Sequence, residues 1–406
     1  MDRRSFLSRS VALGCSLAAS PLLTPVSFAS APGDKRLVVI ILRGGMDGMG
    51  AVAPYGDAGF SGLRGPLTLG DEGYIDLDGF FAMHGALRPL LPLWQDQQLG
   101  FVHAVSTPYR DKRSHFDGQD LLEAGGFSLQ DGKVRDGWLN RMMGHMSGQN
   151  AEMAYAIGSD PLNILGGAQT VQRWSPDVDL ALSSQAIRLA QLVTKDDPAM
   201  SAALAEGLRL ADSDGDAVAV EGGMQDMMSM LQDNAAAGRG TSYETRVAKF
   251  AAGRLRKDAR IASFSLNGWD THANQGRVLA RSLSALSDVI LTLKSELKGP
   301  AWKRTAVVAI TEFGRTARFN GSKGTDHGTG GAMVLAGGAI RGGRVHADWP
   351  GLNEADLFQR RDLMPTRDLR AYTGWLIRDL FGLPSGAVER DIFPQLDLGD
   401  DPNLLL

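Results

Sequence analysis

Five short apolar runs punctuate the chain: Leu37–Leu42 (LVVIIL), Gly100–Val105 (GFVHAV), Ile261–Leu266 (IASFSL), Ala306–Ile310 (AVVAI) and Ala332–Ala336 (AMVLA). None alternates apolar with polar positions. Continuous apolar runs of this length predict strands covered on both faces. Between the third and fourth runs, Leu279, Leu283, Leu286, Ile290, Leu293 and Leu297 mark one stripe of a long helix. Arg281, Lys294 and Glu296 fall off that stripe, and Gly299-Pro300 is placed to stop the helix. Strands alternating with helices predict an α/β fold: a three-layer sandwich whose mostly parallel central sheet carries helices on both faces. The stretch at about 169–257 lacks such runs and is rich in Ala, Met and Asp. It reads as a mainly helical insertion within one domain spanning 30–406.

The first 29 residues read differently. Arg3-Arg4 precedes Ser5-Phe6-Leu7 and a mildly apolar segment, and small residues at Ser27 and Ala29 suit cleavage after Ala29. This is the pattern of a twin-arginine signal peptide, so the twin-arginine export machinery is the expected partner and the periplasm or exterior the expected location. That route carries folded proteins, which suits a metal loaded before export. Cys15, the only cysteine, lies within the leader. Ala12 stands where a lipobox wants a large aliphatic residue. The mature chain then has no thiol for a disulfide, a ligand or a nucleophile. No later segment offers the roughly 20 apolar residues of a membrane span, so no stable membrane anchor is expected. A net charge of −4 gives no footprint for nucleic acid.

The chemistry gathers at the strand ends. In open parallel sheets, ligands bind at the carboxyl ends of the strands. Asp47 follows the first apolar run, Ser114 and His115 the second, Asp270 and His272 the third, and Glu312 the fourth. His327, beside Asp326, precedes the fifth run, so its loop must return to the same edge. Asp270 and His272 share a face of an extended segment. Mixed oxygen and nitrogen donors suit Zn²⁺ or Mn²⁺ better than Ca²⁺. Two serines compete as nucleophile. Ser114 is placed to open a helix, where backbone N–H groups favour an anion, and a hydroxyl there is also what a helix cap needs. Ser106 begins Ser-Thr-Pro-Tyr-Arg, an echo of the sulfatase signature. Arg110, Lys112 and Arg113 precede Ser114, and Arg315 and Arg318 follow Glu312. Arginines near a nucleophile suit neutralisation of an anionic ester. His84 and His103 read as core or supporting groups, and His145 and His346 as surface.

In its order of motifs the chain resembles the alkaline phosphatase superfamily. More narrowly, it resembles an exported family, the domain of unknown function numbered fifteen hundred and one. The leader, Leu42–Asp57, Phe81–Trp94, Arg113–Gly125, Gly268–Gln275, Thr311–Thr316 and Gly324–Gly328 carry this resemblance. It implies an alkaline phosphatase-like fold, a first metal site at Asp270, His272 and His327, and a second at Asp47, Ser114 and Glu312. Superfamily enzymes commonly carry Asp-His where this chain has Glu312-Phe313, so the second site loses an imidazole that His115 or Asp326 is placed to replace. The resulting expectation is a hydrolase of phosphate or sulfate esters with one or two Zn or Mn ions, Ser114 as nucleophile, and Arg113 and Arg315 as charge neutralisers. The competing expectation is a non-catalytic binding or assembly protein on the same scaffold.

Overall fold

The structure, a computed structural model, describes residues 34–71, 73–110, 113–128, 136–146, 153–158, 162–175 and 242–406, with a few more between 194 and 205. The leader and most of the stretch read as an insertion lie outside the described residues. The strands are β1 (Arg36–Leu42), β2 (Val52–Ala53), β3 (Ile75–Asp76), β4 (Ala82–Met83), β5 (Leu99–Ser106), β6 (Ala154–Ile157), β7 (Gln172–Trp174), β8 (Ile261–Leu266), β9 (Thr305–Ile310), β10 (Gly331–Ala336), β11 (Val345–His346) and β12 (Arg367–Asp368). The helices that matter here are α1 (Gly48–Ala51), α2 (Phe60–Arg64), α3 (His115–Ala124), α4 (Trp138–Gly144), α5 (Tyr243–Leu255), α6 (Gln275–Trp302) and α7 (Leu369–Phe381).

Among the described residues, β2, β3 and β4 make a small antiparallel sheet, and the other strands make the main one. Its order is β11-β5-β10-β9-β1-β8-β6-β7, with β12 also on β5. Pairings within the block β9-β1-β8-β6-β7 are all parallel, whereas β10 runs antiparallel to both β5 and β9. This reversal settles how the fifth apolar run joins the others. Because β10 points the opposite way, its beginning lies at the edge where β1, β5, β8 and β9 end.

Alternate residues of β1 feed two cores. Val38, Ile40 and Leu42 pack with Leu283, Leu286 and Ile290 of α6 and with Val247 and Ala251 of α5. Leu37, Val39 and Ile41 pack on the other face with Leu139 and Met142 of α4 and Leu376 and Ile377 of α7. The expected three layers follow from this two-sided burial. Truncating one stripe residue, such as the fully buried Leu283, to Ala would cost about 2–5 kcal/mol. In α6 the backbone leaves helical geometry at Lys298 (φ 58°, ψ 175°), just before Gly299-Pro300, and a further helical piece continues to Trp302. The stretch at about 169–257 also differs in part from its reading as strandless: Gln172–Trp174 adds the edge strand β7 beside β6, and α5 packs into the main core. A strand of three residues, two of them Gln and Arg, carries no apolar run to announce it.

Candidate metal centre

Two glycine-rich loops bring the two Asp–His pairs together. The loop after β8 supplies Asp270 and His272, and the loop before β10 supplies Asp326 and His327. The approach is close. Gly44, after β1, has φ +122°, and a Cβ there would sit 2.4 Å from the Asp270 nitrogen. A Cβ on Gly324 would sit 2.2 Å from the His272 carbonyl carbon. No larger side chain fits either contact. Gln275, the first residue of α6, stitches the loops together: its Oε1 accepts from the hydroxyls of both Thr271 (2.8 Å) and Thr325 (2.5 Å).

Three imidazoles converge on Asp270. His272 Nε2 is 3.1 Å and His327 Nε2 3.4 Å from Asp270 Oδ1, and His115 Nε2 is 3.5 Å from Asp270 Oδ2. His272 and His327 place their Nε2 atoms 3.0 Å apart. His115, Asp270 and His327 each offer a ligand atom within 4.8 Å of the others. Donors about 2.0–2.1 Å from a tetrahedral Zn²⁺ stand about 3.3 Å from one another, so these separations match the edges of a coordination shell.

The opposite ring nitrogens decide what the converging ones can do. His115 Nδ1 donates to Glu312 Oε1 (2.8 Å), His327 Nδ1 to the Arg113 carbonyl (2.7 Å) and His272 Nδ1 to Asp326 Oδ1 (3.1 Å). With each Nδ1 carrying its proton, a ring that holds no second proton turns an Nε2 lone pair inward. Two lone pairs facing at 3.0 Å repel unless a cation lies between them. His115 Nε2 is buried without a hydrogen-bond partner. Tethered imidazoles of this kind are how proteins orient metal-binding histidines, so the residues present fit a divalent ion.

The surrounding charges agree. Burial alone would raise Asp270, but the Arg315 guanidinium, 2.9 Å away, holds its carboxyl below the usual range. The hydrogen bond to Glu312 raises His115 above an ordinary imidazole, whereas burial lowers His327. Burial would raise Glu312, yet donation from His115, Gln119 and the Gly44 amide keeps it ionised and below the usual range. The Asn320 amide, then His272, lowers Asp326. Asp270 and His272 are each 45% exposed, so the centre is open on one side.

Not every expected residue joins this centre. Asp47 is buried and bound by Arg64 in a two-pronged pair, with further donation from Gln275; the guanidinium occupies the role given to a second ion. Burial would raise Asp47, but Arg64 outweighs it and holds the carboxyl low. Glu312 and Asp326 bind imidazoles rather than the centre itself. Ser114 is the N-cap of α3, its hydroxyl accepting from the Asp117 amide at 3.4 Å. Ser106 is buried, donating to the Thr107 carbonyl and accepting from Arg110. Arg315 is fully buried and spent on Asp270 and Thr325. Arg113 pairs with Asp362, and its backbone, at φ +53°, directs its carbonyl at His327. The second expected site is thus dispersed among a salt bridge, a cap and a support for His115. In the sequence His115 stands only as a substitute ligand; its place in SHFDG, next to the helix cap, is the available signal. Nothing local announced Arg64. His103 is buried with Nε2 donating to the Gly48 and Val52 carbonyls, and His145 pairs with Asp391.

Residues 94–390 match the model of the family described as Protein of unknown function (DUF1501). The chain belongs to this family. No curated protein matches it. Solved structures similar to it include the C-terminal periplasmic domain of EcEptC from Escherichia coli, at 11% identity and a TM-score of 0.42, covering 93% of this chain and 94% of that one. The same domain in complex with Zn gives 0.41 at the same identity and coverage. A protein in the alkaline phosphatase superfamily from Vibrio parahaemolyticus gives 0.35 at 13% identity, covering 99% of this chain and 81% of that one. Among the described residues no helix is long and apolar enough to cross a membrane.

Proposed function

We propose that the chain is an exported hydrolase of phosphate or sulfate esters, dependent on one divalent ion, Zn²⁺ or Mn²⁺, held by His115, Asp270, His272 and His327. The convergence of three tethered imidazoles on one ionised carboxylate carries this reading. When bound, the ion supplies Lewis acidity. The chain's own residues do the rest. Glu312, Asp326 and the Arg113 carbonyl fix the ring orientations, and Arg315 keeps Asp270 ionised. Asp270 and His272, each 45% exposed, leave this flank of the site open to a substrate. We take water as the nucleophile: it adds to phosphorus or sulfur and gives up a proton, the bond to the ester oxygen breaks, and the leaving alcohol takes up that proton. Export is supported by Arg3-Arg4 and the apolar segment after them. Replacing both arginines by lysine should retain the precursor in the cytoplasm.

The test is metal content by mass spectrometry, followed by hydrolysis of 4-nitrophenyl phosphate and sulfate. The expected result is about one equivalent of Zn²⁺ or Mn²⁺, loss of the ion in His115→Ala, His272→Ala and His327→Ala, and metal-dependent turnover. Protein that stays metal-free after loading overturns the proposal. Metal binding with no turnover of either ester returns the non-catalytic alternative.

A further inference from the structure

We propose that the cavity beside Asp326 is the subsite for the non-reacting part of the substrate, and that it selects an apolar body ending in an anionic group. The inference deepens the ester-hydrolase reading and rests on it for the word substrate. The cavity measures about 310 Å³, the size of a small aromatic ligand site. Asp326 forms part of its wall, and its Oδ1 accepts from both Asn320, another wall residue, and His272 Nδ1. A molecule lying in the cavity is therefore adjacent to the metal centre.

Two kinds of side chain line the cavity. Leu352 and Leu357 are buried, and Phe319 is one of the few large apolar side chains left exposed among the described residues. Around them stand Arg318, Arg360 and Arg361. Arg318 donates to the Gly62 carbonyl at 3.2 Å, and Arg361 to Asp362 at 3.1 Å. Arg360 has Glu354 at 3.9 Å, with both side chains more than 70% exposed, and such pairs contribute little. Gln359 and Arg360 both adopt left-handed backbone (φ 52° and 55°), a conformation that costs energy at non-glycine residues and gathers at ligand clamps. Arg361 is neutralised by Asp362, but Arg318 donates to a carbonyl and Arg360 has only the solvent-screened Glu354, so two guanidiniums stay available to an anion over an apolar floor. A second cavity of about 270 Å³ lies across Phe319, but its guanidinium, Arg64, is already spent on Asp47. The anion preference thus belongs to the first cavity.

The probe is 8-anilinonaphthalene-1-sulfonate, an apolar body bearing one anion, with N-phenyl-1-naphthylamine as its uncharged counterpart. Fluorescence titration of the whole folded protein should show sulfonate binding that weakens with salt, and little binding of the neutral dye. Arg318→Ala with Arg360→Ala should weaken sulfonate binding by about tenfold, as expected for losing charged donors, while metal content stays unchanged. Equal binding of both dyes, or an unchanged sulfonate affinity in the double variant, overturns the subsite. The same titration on chelator-treated protein separates the two readings, because the cavity does not require the ion. Sulfonate binding without any metal uptake keeps the subsite and removes the metal centre; metal uptake without sulfonate binding does the reverse.

Discussion

Replacing Glu312 by Gln is the sharpest probe of the centre, because the change is almost purely one of charge. The carboxylate is fully buried and its Oε1 accepts from His115, Gln119 and Gly44, while Oε2 lies 3.0 Å from Thr311 Oγ1. A glutamine can keep the first three bonds with its carbonyl oxygen. Its amide then donates to Thr311, whose single proton already has the Leu42 carbonyl at 2.9 Å as an acceptor. Shape and hydrogen-bond count survive. What disappears is the charge behind His115. A charge-assisted bond contributes about 1.5–3 kcal/mol and roughly twice its neutral counterpart, so the direct loss is about 1 kcal/mol. Partners standing behind a ligating histidine typically set metal affinity by about 10–100-fold. Competition against a chromophoric chelator should show Zn²⁺ affinity falling within that range, with the urea midpoint of the metal-free protein nearly unmoved. An unchanged affinity refutes the role of Glu312, and an unchanged affinity in His115→Ala as well removes His115 from the centre.

Three further outcomes are expected. Ser114→Ala should cost up to about 1 kcal/mol in urea unfolding, as for a lost helix cap, with metal content and ester turnover retained; loss of turnover at full metal content would restore it as nucleophile. Arg64→Ala strands a buried carboxylate and should cost about 3–5 kcal/mol, with Arg64→Ala plus Asp47→Ala recovering much of the loss in the same assay. Burial pushes His103 down to about 4, below its unfolded value near 6.5, so the unfolded chain takes up the proton first. The stability from the neutral ring is full above pH 6.5 and falls by up to about 3 kcal/mol as pH drops to 4; His103→Gln should lack that component, and parallel pH profiles for both proteins would contradict it.

The five apolar runs announced five of the strands because burial on both faces demands continuous apolar sequence. Edge pieces such as β7, β11 and β12 escape that demand, so their two or three residues carry no pattern. The same logic divides the site. Asp270, His272 and His327 were legible because their loops directly adjoin apolar strands. Asp47 was legible as a polar residue at the right edge but not as a salt-bridge member, since Arg64 arrives from a separate helix 17 residues later. The division of labour among His115, Glu312 and Ser114 was likewise hidden: which of three neighbouring polar groups points inward depends on the entry angle of α3, and no local pattern encodes that angle.

The pair formed by Arg64 and Asp47 has a consequence for supply. Where the resemblance implies a second ion, the positive charge is instead made by translation as Arg64, and no scavenger in the surroundings can remove it. On the proposed reading, only the histidine cluster draws on the environment. Scarcity of zinc or manganese would therefore silence the centre while leaving the Asp47 end electrically complete. A population of such molecules could wait, folded, for an ion to arrive.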